Sequence, residues 1–317
     1  MSTIFAESRT AEVVRSRSFR LVVQLALGGA VLVAVALHVG AGPFLHALAS
    51  LDGRSIGAAV LLGAVGTSAA AWRWQLIAGR LGIGLRWSTA VAMYYRSQFL
   101  NSVLPGGVIG DAHRAVVHGR SADSVSRASR AIVMERSAGQ AVQIAVALVV
   151  LALFGAEFEG FVFAGLAIGV GVLVVAVIAA AAASARVRRA LRHERDELRA
   201  GVGNPAAFAS VSVASLIVVA CQVATFVVAT AAVGADVAPL RLLAIALVIL
   251  LAASIPLNIG GWGPREGIAG WAFALAGFGA AAGVAASTLF GVLSLISVAP
   301  GAIVTLMSTT HRQKESS

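Results

Sequence analysis

The chain has 317 residues, of which 59% are hydrophobic and only 12% charged, with a formal net charge of +10. Soluble domains carry roughly 25% charged residues, so this length is not two soluble domains; with a mean hydropathy of +0.90 it reads as a polytopic membrane protein. The single cysteine, Cys221, rules out an intrachain disulfide and argues against a cysteine-built metal site.

A bilayer core takes about 20 apolar residues as helix. Stretches of that length occur in order at Leu21–Val39, Ile56–Ala78, Ala131–Phe154, Phe161–Ala183, Ala206–Val233 and Gly283–Met307. Arg15, Arg17 and Arg20 ahead of the first run resemble a signal peptide. That run is long enough to span, and no cleavage site followed by a soluble domain is evident, so it is read as a retained helix. Two further apolar stretches, Trp87–Leu104 and Leu240–Ile255, run into LPGGVIGD and IPLNIGGWGPRE instead of charged loops. The expected fold is all-α, with six full spans plus two broken or re-entrant helical segments.

Cytoplasmic loops carry excess Lys and Arg. Arginines crowd the N-terminal tail, Ala78–Arg86, His113–Arg130 and Arg186–Arg199, whereas Gly40–Ser55 and Gly155–Gly160 are poor in base. An N-terminus inside satisfies every loop, provided that Trp87–Arg114 enters from the cytoplasm and returns to it and Leu240–Phe278 does the same from outside. The C-terminus, with Arg312 and Lys314, then also lies inside. Most of the +10 is thus a topology signal whose partner is anionic inner-leaflet phospholipid, not nucleic acid.

Gly106-Gly107 and Gly260-Gly261 are 154 positions apart. That offset superposes the fifth span on the second and the sixth on the third, so each half reads span, span, broken segment, span. Three full crossings is an odd number, which inverts the second half relative to the first; secondary transporters use this arrangement and build substrate sites from the discontinuous segments. The expected organisation is a cytoplasmic tail over 1–20, a first membrane repeat over 21–155, a second, inverted one over 156–309, and a cytoplasmic tail over 310–317.

Both breaks join an apolar helix, a proline and a glycine pair to an acid and an arginine. The first holds Pro105, Gly106, Gly107, Gly110, Asp111 and Arg114; the second holds Pro256, Gly260, Gly261, Gly263, Arg265 and Glu266. Broken backbone in lipid needs protein or a watery cavity to satisfy its polar groups. The glycines taken alone also fit close helix packing, since Gly106/Gly110 and Gly263/Gly267 have small-xxx-small spacing.

NSVLPGGVIGDAHRA, the Glu135-Arg136 and Gly139 of MERSAGQ, and SIPLNIGGWGPREG carry a resemblance over essentially the whole chain. The sequence resembles the flippase-like transmembrane family of the lysylphosphatidylglycerol synthase type. The resemblance implies an integral protein of the bacterial inner membrane; the best-known members move an aminoacylated phospholipid between leaflets, and relatives are linked to polyprenyl-phosphate sugar pathways or hopanoids. The chain is expected to lack the soluble aminoacyl-transferase domain, so lipid synthesis by it is not implied. His113 departs from the small or apolar residue expected between the acid and Arg114, which leaves head-group preference open.

Carrying a charged head group through hydrocarbon requires continuous partners and no bond chemistry. Arginine suits a lipid phosphate because its fork donates two parallel bonds. Arg114 is therefore expected to serve the inner half of a path and Arg265 the outer half, with Asp111 and Glu266 holding them or meeting a cationic head group. The rival readings are a juxtamembrane topology charge for Arg114 and a structural pair with Glu266 for Arg265. Gln98, Asn101 and Asn258 precede the breaks and either meet a head group or cap freed backbone groups. Trp262 lies inside the second break as a candidate lining residue. Glu135 and Arg136 are read as structural interhelical ion-pair residues, each with its own partner because neighbouring helix positions diverge. No catalytic motif, cofactor or metal set is expected. The alternatives to lipid translocation are an intramembrane enzyme and a non-transporting membrane subunit, and protein partnership is left between a homodimer and a cell-envelope synthase.

Overall fold

A computed structural model of the protein describes residues 49–104, 107–154, 203–254 and 264–305, with the single positions 42, 45 and 160. The expected spans Leu21–Val39 and Phe161–Ala183, the Arg186–Arg199 loop and both termini lie outside the described residues. So do Pro105, Gly106, Pro256, Asn258, Gly260, Gly261, Trp262 and Gly263.

Among the described residues the regular structure is helical. In chain order the helices are α1 (Gly53–Arg80), α2 (Trp87–Val103), α3 (Ile109–Ser121), α4 (Val125–Phe154), α5 (Pro205–Ala232), α6 (Pro239–Ala253), α7 (Pro264–Leu275) and α8 (Ala280–Val298). Among the described residues four helical segments are long and apolar enough to cross a membrane: α1, α4, α5 and α8, the last continuing to Thr305. Leu61, Val149, Leu153 and Phe208 project outward from three of these, as side chains facing acyl chains do.

Local sequence sets the ends. Asp52 caps α1 by accepting from the Ser55 amide at 2.8 Å, and Asn204 caps α5 by accepting from the Ala206 amide at 2.9 Å, with Pro205 opening the helix. These caps satisfy amides that have no intrahelical partner. The His113–Arg130 stretch, expected as a loop, is instead mostly helix: α3 runs to Ser121 and α4 starts at Val125, with Asp123 at φ 49° between them. Arginine and alanine are strong helix formers, and a run of charge marks an aqueous setting without marking the loss of helix.

α2 and α3 form an antiparallel hairpin. Ser97 and Asn101 of α2 reach Asp111 of α3 at 2.8 and 3.2 Å, and at the open end His118 Nε2 donates to the carbonyl of Ile83, ahead of α2, at 2.9 Å. α6 and α7 return in the same way, for the guanidinium of Arg241 at the start of α6 lies 5.7 Å from the Phe278 ring just beyond α7. α1 packs most extensively against α5. Gly66 faces Cys221 and Arg73 reaches Ser215, so position rises along α1 as it falls along α5, and the two helices cross antiparallel.

Two apolar cores flank this crossing. One gathers Phe226, Ile245, Ile249, Phe273, Leu289 and Phe290; the other gathers Trp74, Ile77, Tyr94, Ile132 and Met134. Between them the helices leave a cavity.

Candidate functional site

The cavity has a volume of about 650 Å³, and every described helix except α3 contributes to its wall. Its charged lining residues are Arg73 of α1, Arg136 of α4 and Arg265 of α7, and no described acid lines it. Amides and hydroxyls fill in the polar wall, among them Thr67, Gln98, Asn101, Gln140 and Gln222.

Behind Arg73 and Arg136 lies a buried charge network. Arg73 Nε donates to Glu135 Oε1 at 3.0 Å, its Nη2 donates to the same oxygen, and its Nη1 donates to Ser215 Oγ at 2.8 Å. Glu135 is fully buried; it also accepts from the Tyr94 hydroxyl at 3.0 Å and from Arg114 Nη2 at 3.2 Å. Arg114 Nη2 reaches Asp111 as well, at 3.0 Å, and Asp111 pairs through its other oxygen with Arg136. Arg114 is only 1% exposed, and its guanidinium carbon stands 4.5 Å from the centre of the Trp74 ring and 4.4 Å from that of Tyr94.

Among the described residues three guanidinium groups here face two carboxylates, an excess of one positive charge. Buried ions are tolerated only when paired and hydrogen-bonded; Arg73 is so held, whereas Arg136 is half exposed, and both line the cavity. In the second half the charges balance: Arg265 donates from Nε and Nη2 to Glu266 Oε1 at 2.9 and 2.6 Å, and from Nε to Ser287 Oγ at 3.1 Å. Its guanidinium also stacks 5.3 Å from the Phe290 ring. Glu266 sits in the first turn of α7, where the helix dipole favours an anion.

The residues singled out from sequence divide into three groups. Arg265, Gln98, Asn101, Gly107 and Arg136 line the cavity; Asp111, Glu135 and Glu266 stand outside its wall, holding the arginines that do line it, and Arg114, also outside, bridges Asp111 and Glu135. Asn101 has a capping contact, its Oδ1 accepting from the Gly110 amide at the start of α3 at 2.7 Å. Gly110 is small by necessity, since a Cβ there would run into the Ser97 carbonyl. Gln98 Oε1 accepts from Thr67 Oγ1 at 2.8 Å. The remaining members of the second break, and Pro105 with Gly106 of the first, lie outside the described residues.

Arg73 was not among the sequence candidates. Its apolar neighbours make Ile56–Ala78 read as an ordinary span, and Trp72 and Trp74 beside it read as an interfacial belt. The signal that could have found it is an arginine placed well inside a span, since an intramembrane charge marks function or a buried partner.

The family model described as the lysylphosphatidylglycerol synthase TM region matches residues 21–301. The chain belongs to this family. No curated protein and no solved structure matches it. Membership and the long apolar helices together make the chain a membrane-embedded protein, and within this lysylphosphatidylglycerol synthase TM region the arginine-lined cavity is the candidate site. Among the described residues no group of three or more His, Cys, Asp or Glu is placed to hold a metal ion.

Proposed function

We propose that this protein moves a phospholipid or lipid-linked head group across the cytoplasmic membrane of a bacterium, without altering the lipid chemically. The observation that carries the reading is the cavity between the two sets of helices, lined by Arg73, Arg136 and Arg265 and backed by one excess positive charge. An anionic head group entering it exchanges water for guanidinium donors, which offsets its desolvation.

The proposed architecture is two repeats of opposite orientation, with six full crossings, two re-entrant hairpins and both termini cytoplasmic. Two features support it. α1 to α4 and α5 to α8 follow one pattern of long, short, short and long helices, and the matching helices α1 and α5 cross antiparallel. Such an arrangement presents a similar opening to each leaflet and lets one half rock against the other. Arg120, Arg127 and Arg130, in the helix ends on either side of the α3–α4 turn, would rest on anionic inner-leaflet phospholipid, and the protein partner would be a second copy or a cell-envelope synthase.

The test is reconstitution of the purified chain into liposomes with a trace of labelled phosphatidylglycerol. Leaflet exchange is expected with lipid mass unchanged, falling at least about tenfold in an Arg136→Gln variant, whose half-exposed side chain can be replaced with the unfolding temperature retained. Unchanged exchange in that variant removes the reading. A changed lipid mass would mark an intramembrane enzyme, and a chain that neither moves nor alters lipid would be a non-transporting subunit.

A further inference from the structure

The wall of the cavity also states what kind of head group it suits. We infer that the site takes an anionic, hydroxyl-rich head group and rejects one bearing a free amine; this rests on the cavity being the head-group site proposed above. A buried ammonium is best met by a carboxylate or an open aromatic face, and neither is on offer among the described residues. Asp111, Glu135 and Glu266 are each bound to a guanidinium, and no described acid lines the cavity. The undescribed stretches next in sequence to its wall, 105–106 and 255–263, contain no Asp or Glu.

The aromatic rings are engaged too. Arg114 stacks on Tyr94 and Arg265 on Phe290, the two aromatic residues of the wall. What remains is the half-exposed guanidinium of Arg136 for a phosphate, in the field of Arg73 and Arg265 beside it, and amides and hydroxyls such as Thr67, Gln140 and Gln222 for a polyol or sugar. The family description names a lysylated phospholipid; these residues suit its unmodified anionic counterpart. A phosphate with neighbouring hydroxyls occurs in phosphatidylglycerol and in a polyprenyl phosphate carrying a neutral sugar, so the experiment includes both.

Native mass spectrometry of the full chain is run with phosphatidylglycerol, the polyprenyl phosphosugar and lysyl-phosphatidylglycerol at equal concentration. One or both amine-free lipids should be retained at least about tenfold over the lysyl lipid, and the stronger of the two identifies the source. Gln140→Glu, which puts a carboxylate into the wall, should narrow that ratio by raising retention of the lysyl lipid. Equal or preferred retention of the lysyl lipid by the unaltered chain overturns the inference, as does failure to retain any of the three. Leaflet exchange measured beside it keeps the two readings apart. Selective retention without exchange removes transport and leaves this inference standing, while exchange of all three at one rate without selective retention does the reverse.

Discussion

Gly139 of α4 lies directly under the guanidinium of Arg73: a Cβ at position 139 would stand 2.5 Å from Nη1 and 2.8 Å from Cζ. The end of an arginine is ordinarily free to swing aside. Here it is held by Glu135 on one side and Ser215 on the other, so the glycine is where α4 makes room for a fixed ion pair.

Gly139→Ala therefore has a predictable sign. In an open helix the change would stabilise by about 1 kcal/mol. Against the tethered guanidinium, overpacking outweighs this, and a net loss of about 1–3 kcal/mol is expected. Thermal unfolding in detergent measures it. In an Arg73→Ala background the same change should become neutral or stabilising, a coupling that a double-mutant cycle reads directly.

Glu135→Gln leaves Arg73 and Arg114 facing a neutral amide in a fully buried position. Removing one member of a buried pair costs about 3–5 kcal/mol, and much of the folded population should be lost. Replacing Arg73 by Met together with Glu135 by Leu should be milder than Glu135→Gln alone, because Arg114 keeps Asp111 and the cation left unpaired by Glu135→Gln, Arg73, is gone. A double variant less stable than Glu135→Gln would contradict the network as drawn.

Arg114 and Arg136 should separate by phenotype. Arg114 is sealed between two rings, so Arg114→Lys loses the planar stack and is expected to lower the unfolding temperature. The side chain of Arg136 is half exposed and opens on the cavity. Arg136→Gln should leave the unfolding temperature nearly unchanged while weakening retention of phosphatidylglycerol. Equal thermal losses in both variants would count against this division.

Cys221 offers a reporter, since it is the single cysteine of the chain and lines the cavity. A small, water-soluble thiol reagent should label it in the folded protein without denaturant. Saturating phosphatidylglycerol should slow the labelling at least about threefold if the head group occupies the same space. Labelling that proceeds at one rate with and without lipid would place the lipid elsewhere.

Asp52 gives a prediction in pH. The Ser55 hydroxyl, then the Ser55 amide, donate to its carboxylate and hold its titration below the ordinary value of 3.8. A depressed folded-state pKa means that the cap contributes fully above the unfolded value and is lost as pH falls through the lower, folded one. Carboxyl-carbon NMR of Asp52 should show a midpoint below 3.8, moving up toward it in Ser55→Ala.

Much of the helical scaffold could be read in the sequence because lipid imposes a simple rule on length and apolarity. The end of α2 ahead of its Pro-Gly-Gly was equally legible, since proline and paired glycines are conspicuous in such a chain. The charge network was less so. Arg136 looks like a charge at the mouth of a helix, and Arg114 like one of several topology arginines; nothing local distinguishes them from Arg130 or Arg127. Their roles depend on which helix faces which, as when Glu135 meets Arg73 across 62 residues of sequence. Pair contacts of that separation leave no periodic trace, whereas Pro-Gly-Gly does.

The uncompensated guanidinium charge belongs to the side of the molecule built from α1 to α4, whereas Arg265 and Glu266 cancel on the other. An anion placed in the cavity would thus meet a tilted electrical landscape, lowest against the Arg73–Arg136 wall. The two halves share a helical plan, yet their charge is divided unequally: among the described residues the pull on an anion is concentrated in the first.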